Sequence, residues 1–122
     1  MESTLEFLLI FAEALAVGLY LVAPVLFCLN LLIFGLGAVV GKKEGWPLFD
    51  ALYWSFITGT TVGYGDLTPK QRGSKLLAVL IVLMGLILSG ILVAIGVRAT
   101  TLAFESTAEP RWQEEAGWAD DR

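Results

Sequence analysis

Thr60-Thr61-Val62-Gly63-Tyr64-Gly65-Asp66 is the stretch whose reading decides the fold. It lies between two long apolar segments, and that placement turns a short string into a mechanism. Glycine at alternate positions, Gly63 and Gly65, lets the backbone reach dihedrals closed to other residues. Consecutive peptide units can then point their carbonyls to one side. Rings of such carbonyls, drawn from several copies of the chain, can replace the water shell of a dehydrated cation. Val62 and Tyr64 are expected to face the other way, into packing that fixes the width of the passage. Thr61 can add a ring of hydroxyls at the inner end.

The composition of the whole chain agrees with such a setting. Of 122 residues, 57% are hydrophobic and 16% charged, with a mean hydropathy of +0.75. Soluble domains carry about 25% charged residues, and so short and apolar a chain would struggle to hide its surface from water. Lipid is the expected solvent. One pore domain is all the length permits, and one copy cannot enclose a pore, so function implies a homo-oligomer. The net charge of −4 is uneven. Residues 105–122 form an acidic tail, with Glu105, Glu109, Glu114, Glu115, Asp120 and Asp121 against Arg111 and Arg122. No basic patch suits nucleic acid. Cys28 is alone, so no disulfide forms within the chain, and a thiol in an apolar run reads as packing. Histidine, the commonest general base and metal ligand, is absent. Glu2 and Glu6 replace the positive start of a signal peptide, and the apolar run is too long for one.

Ser3 or Thr4 can cap a first helix, and Ser3-x-x-Glu6 fits a capping box. Residues 1–20 read as an N-terminal interfacial helix or as an inward extension of the next helix. Glu6 and Glu13 share one face, which suits a membrane surface. A third span would carry Glu13 deep into lipid, which is costly. The pore domain is expected over 21–104. From Ala14 to Gly41 no residue is charged, more than the ~20 residues a span needs, and the outer helix is placed at 22–41. Pro24 suits its first turn or a kink. Asn30 is expected to hydrogen-bond to a neighbouring helix. Gly35, Gly37 and Gly41 permit close helix approach.

Gly41 to Gly45 reads as a polar turn, followed by Trp46 at an interface. Pro47 suits a first helical position. A helix over 47–60 is too short to span and reads as re-entrant. Its C-terminal end, ahead of the filter at 61–65, carries partial negative charge that favours a cation. Leu67 to Gly73 return the chain to the surface. An inner helix over 74–102 is uncharged from Leu76 to Val97, with Gly85, Ser89, Gly90, Ala94 and Gly96 as sites of tight packing or bending. Arg98 can snorkel to the interface. After Phe104 the tail reads as a short helix or as disorder, with partial disorder the favoured expectation.

The Thr-Val-Gly-Tyr-Gly core with its following Asp resembles the selectivity filter of potassium channels. The order outer helix, pore helix, filter, inner helix is similar to the two-helix potassium channels of prokaryotes, over about Val22 to Leu102. Glu44 to Ser55 resembles the entry and pore helix of that group. The implied fold is an all-α membrane protein: two transmembrane helices with a re-entrant pore helix and filter loop, preceded by an N-terminal interfacial helix, assembled as a homotetramer. The resemblance implies that carbonyls of Thr61, Val62, Gly63, Tyr64 and Gly65, with the Thr61 hydroxyl, coordinate dehydrated potassium. It implies K+ ions in the filter and no other cofactor. Tyr53, Ile57, Thr60 and Asp66 would support the filter, with a Tyr53–Asp66 hydrogen bond. Ile57 stands where some members place a Glu that pairs with this Asp. Gly85 aligns with a hinge glycine, although its spacing from Gly73 runs one residue long. Gly90 matches a small position, and Ser89, Val93 and Val97 become candidates for the cavity and gate.

The implied location is the cell membrane, with both termini in the cytoplasm. The basic residues oppose that orientation: Lys42, Lys43, Lys70, Arg72 and Lys75 lie on the loop side, and Arg98, Arg111 and Arg122 on the termini side. The expected function is passive, potassium-selective conduction, in contact with lipid and K+ and with neither nucleic acid nor a small-molecule substrate. A weakly selective cation channel and a non-conducting assembly subunit are the alternatives. An enzyme is not expected: no nucleophile–base pair or metal cluster is visible, and Gly63-Tyr64-Gly65 lacks the Lys of a phosphate loop.

Overall fold

The computed structural model describes the backbone of residues 1–120, and the side chains other than those of residues 109–116 and 118–120. The described backbone is helical throughout its regular parts: α1 spans Glu2–Glu44, α2 Leu48–Gly59 and α3 Arg72–Asp120. Two of these helices are long and apolar enough to cross a membrane, over Glu2–Glu44 and Arg72–Ala108. At 1.5 Å per residue the 43 residues of α1 rise about 65 Å, twice the ~30 Å of a bilayer core.

Several helix ends differ from the sequence reading. The outer helix is not confined to 22–41, because α1 runs unbroken from Glu2 through Pro24. Pro24 removes one backbone donor, and the apolar turns on both sides keep the helix going. Residues 1–20 are therefore part of α1, as the extension alternative has it, and not a separate interfacial helix. Ser3 and Thr4 lie inside the first turn and cap nothing, since Leu5 N–H already donates to Met1 C=O at 3.3 Å. Gly41 to Glu44 continue the helix instead of forming a turn. The stop is Gly45, left-handed at φ 74, and Trp46 N–H donates to Gly41 C=O at 2.9 Å. That is a Schellman ending, which needs a residue tolerant of positive φ. Pro47 caps α2 instead of opening it, and Thr60 follows its last helical residue. α3 starts at Arg72, and its backbone stays helical to Asp120 in place of the disorder expected after Phe104. Asp121 and Arg122 of the acidic tail lie outside the described residues.

The chain divides into two compact units. The unit of Ala23–Ile91 holds a core of Ile33, Val40, Trp54, Ile81 and Leu88, with Trp46 and Leu67 packed against it. Trp46 meets Trp54 edge to face, ring centroids 5.5 Å apart. Small residues set the approach of α1 to α2. A side chain on Gly41 would strike the Ala51 methyl, and one on Gly37 would lie 2.6 Å from Ser55 Oγ. Gly35, by contrast, faces open space. Asn30 does not reach a neighbouring helix; its amide donates to Leu26 C=O of α1 at 2.9 Å. Cys28 is exposed in the single chain instead of packed. In the unit of residues 1–22 and 92–122, Phe7 stacks on Phe11, Ala99 and Ala103 are buried, and Gly18 abuts Ile95.

Candidate functional site

The filter stretch begins where α2 ends, and its first residues are tied back to that helix. Thr60 N–H donates to Phe56 C=O at 2.9 Å, Thr61 N–H to Thr58 C=O at 3.1 Å and Gly63 N–H to Ile57 C=O at 3.0 Å. The Thr60 hydroxyl donates to Phe56 C=O at 2.8 Å. These bonds occupy the carbonyls of Phe56, Ile57 and Thr58, three of the four that the C-terminus of α2 leaves orphaned. The negative end of the α2 dipole is thereby aimed at the start of the stretch.

Beyond Thr60 the sign of φ alternates: Thr61 62°, Gly63 52° and Gly65 80°, with Val62 and Tyr64 at negative φ between them. Alternation of hand turns successive N–H groups to one edge of the chain and carbonyls to the other. Glycine explains two of the three positive values. Thr61 is β-branched and alone among the described non-glycine residues in that region, a conformation that costs about 1–3 kcal/mol. Nothing lies within 4 Å of where a side chain on Gly63 or Gly65 would sit, so φ alone demands glycine there.

The other expected site residues fall into distinct places. Ile57 is buried behind the stretch and lends its carbonyl to Gly63. Tyr53 and Asp66 are brought together. Burial first, and the Asp66 carboxylate second, hold the Tyr53 hydroxyl above the usual 10.0. The pair does not reach full hydrogen-bond geometry. Val62 and Tyr64 are 53% and 71% exposed, so the single chain does not supply the packing expected around them.

Gly85 lies inside an unbroken α3 and against the last residue of α2. A side chain there would lie 2.5 Å from the Gly59 carbonyl carbon and 2.6 Å from its Cα. Gly85 thus has a packing duty whether or not α3 bends. Gly90 faces open space and Ser89 is half-buried. Val93 and Val97 are exposed and, with Phe7, Gly96, Thr100 and Phe104, line an apolar cavity of about 510 Å³.

An ion channel family model matches residues 7–101 of the 122. The chain belongs to this ion channel family. The match takes in both long apolar helices, α2 and the filter stretch, which makes this family member a membrane protein rather than a member of an enzyme family. Among curated relatives, "TWiK family of potassium channels protein 7" of Caenorhabditis elegans is 46% identical over 50 residues, 41% of this chain and 9% of its own length. "Two-pore potassium channel 1" of Arabidopsis thaliana is 54% identical over 41 residues, 34% of this chain and 11% of its own. A "Voltage-gated potassium channel" of Aeropyrum pernix is 44% identical over 39 residues, 32% of this chain and 13% of its own. The chain therefore spans only a small part of these relatives. No solved structure matches it.

One residue escaped the sequence reading. Glu44 looked like part of a polar turn, yet its carboxylate accepts from Lys70 N–H and Gln71 N–H, both at 3.0 Å. No local signal pairs it with residues 26 and 27 positions away.

Proposed function

We propose that this ion channel family member forms a homotetrameric, potassium-selective pore that conducts K+ passively across the cell membrane. The observation that carries this reading is the alternating φ over Thr61 to Gly65, held at the dipole end of a re-entrant helix. The matched relatives are named potassium channels, which supports the choice of ion. Carbonyls of Thr61, Val62, Gly63, Tyr64 and Gly65, with the Thr61 hydroxyl, replace the water of the permeating ion. Ions in adjacent sites repel one another and so keep moving. Tyr53, Ile57, Thr60 and Asp66 support the stretch from behind, and both termini face the cytoplasm. The pore domain comprises residues 21–104, and residues 105–122 form an acidic cytoplasmic extension.

Purified protein in liposomes is expected to pass potassium far better than sodium and to be blocked by barium. Equal flux of the two ions would make it a weakly selective cation channel. No flux from a well-folded assembly would make it a non-conducting subunit.

A further inference from the structure

Both long helices change partners part-way along. In the unit of Ala23–Ile91, α1 packs on the core from Leu26 onward, and α3 does so as far as Leu88. In the other unit the N-terminal limb of α1 meets residues 92–108 of α3. Gly18 is the close point, since a side chain on it would lie 2.7 Å from Cγ2 of Ile95. Phe7 shares a groove with Thr100 and Phe104, which lengthens the contact along the same limb. Between these attachments each helix runs bare: no residue of 19–25 in α1 is buried, and none of 89–94 in α3.

The bare stretches hold the weakest rungs of their helices. Pro24 has no N–H, so the Tyr20 carbonyl lacks its usual donor, and the ring presses on the turn before it. Gly90 gives up more backbone freedom in a helix than other residues, and nothing lies within 4 Å of its missing side chain. Gly85 has no such freedom, because it sits against Gly59. The border between the units crosses α1 after Val22 and α3 after Ile91, so Pro24 and Gly90 are each the second residue inside it. A bend at Gly90 alone would drag Ile95 across Gly18, where there is no room to slide. Bends in both helices spare that contact. We infer that Pro24 is the outer-helix half of a paired hinge completed by Gly90, so that the N-terminal limb of α1 swings with the end of α3 as one body when the pore opens. This rests on the pore reading above.

Pro24→Ala returns the missing N–H and stiffens α1. Two measurements on the full chain in lipid, wild type against Pro24→Ala, separate the hinge from the pore. Amide hydrogen exchange needs no conduction. A merely local effect stops within a turn or so of position 24, whereas a paired hinge also slows exchange severalfold at residues 89–94 of α3. Gly90→Ala is the reciprocal variant, expected to slow residues 19–25, and it serves alone should Pro24→Ala not assemble. Unchanged exchange on the opposite helix overturns the pairing. Single-channel recording of Pro24→Ala should show opening and closing slowed severalfold, with the potassium-to-sodium permeability ratio kept; unchanged rates overturn its part in opening. A cross-link tests the single body. The Cβ positions of residues 18 and 95 stand 3.8 Å apart, a usual separation for a disulfide, so Gly18→Cys with Ile95→Cys can be joined in a Cys28→Ser background. Cross-linked channels are expected to open and close as the reduced ones do, and a cross-link that freezes them means that limb and α3 move apart, against the inference. A wild type that shows no preference for potassium sinks the pore reading itself, and the exchange rates then decide the hinge alone.

Discussion

Gly85→Ala is the substitution whose outcome the geometry constrains most tightly. The added methyl would lie 2.5 Å from the carbonyl carbon of Gly59 and 2.6 Å from its Cα, with the carbonyl oxygen closer still; ordinary contact begins near 3.4 Å. α3 would have to retreat from α2 by more than the 0.9 Å that the carbonyl carbon alone demands, because the oxygen is nearer and backbone cannot rotate aside as a side chain can. Overpacking of that kind costs about 1–3 kcal/mol or more. Against it stands the gain from replacing glycine in a helix, about 1 kcal/mol. The clash wins, because Gly59 is the last residue of α2 and can move only by dragging Thr60 and the filter with it. Thermal unfolding of the purified variant should therefore begin several degrees lower, and liposome flux should show weaker preference for potassium. Gly90→Ala is the control, since nothing lies within 4 Å of its new methyl; it should hold or raise stability. A pure hinge role for Gly85 predicts altered opening with unchanged unfolding and selectivity. That result would refute the packing argument.

Gly41→Ala, which drives a methyl into that of Ala51, should cost about 1–3 kcal/mol; adding Ala51→Gly should recover most of it in a double-mutant cycle by chemical denaturation, and a purely additive cycle would deny the contact. Ser74→Ala should shift unfolding little, because the buried Ser74 Oγ lies beside the Glu44 carboxylate without a full hydrogen bond to any described residue; a markedly lower unfolding temperature would mean that the hydroxyl does bond the carboxylate. Tyr53 ionises in the unfolded chain before it does in the folded one, so its contribution is complete below the ordinary tyrosine value of 10.0 and is lost as pH climbs through the raised one. Asp66→Asn should move the Tyr53 titration downward in an ultraviolet difference measurement against Tyr53→Phe, and an unmoved midpoint would separate the two side chains.

Short-range signals were legible and long-range ones were not. Two apolar runs, a helix too short to span and glycines at alternate positions are local facts, and they led to α1, α2, α3 and the filter stretch. Helix ends were read less well. Gly45 was visible as a turn residue, but the Schellman bond from Trp46 to Gly41 carries the helix through Glu44 against the polarity of Lys42, Lys43 and Glu44. Polar groups in lipid need a partner, which points Asn30 to another helix, yet its own i−4 carbonyl is close enough. The reading of Gly85 as a hinge followed alignment, whereas its contact with Gly59 depends on the packing of two helices. Glu44 stayed hidden for the same reason. A carboxylate that serves amides 26 and 27 residues downstream leaves no periodicity to detect.

What a single chain does not provide is as informative as what it does. The filter stretch is held at both ends, by α2 through three amides and by Glu44 at the return. Between those anchors Val62 and Tyr64 remain 53% and 71% exposed, and Thr61 stays in a costly left-handed conformation. Large apolar side chains left bare beside a strained backbone are not a stable end point for an isolated chain. In the proposed tetramer, neighbouring copies and the permeating ions would supply the missing contacts. Assembly, filter width and ion occupancy would then be linked equilibria, each favouring the state that satisfies the others. On that view the anchors of a single chain limit where its carbonyls can go, and only the assembled ring determines how far apart they stand.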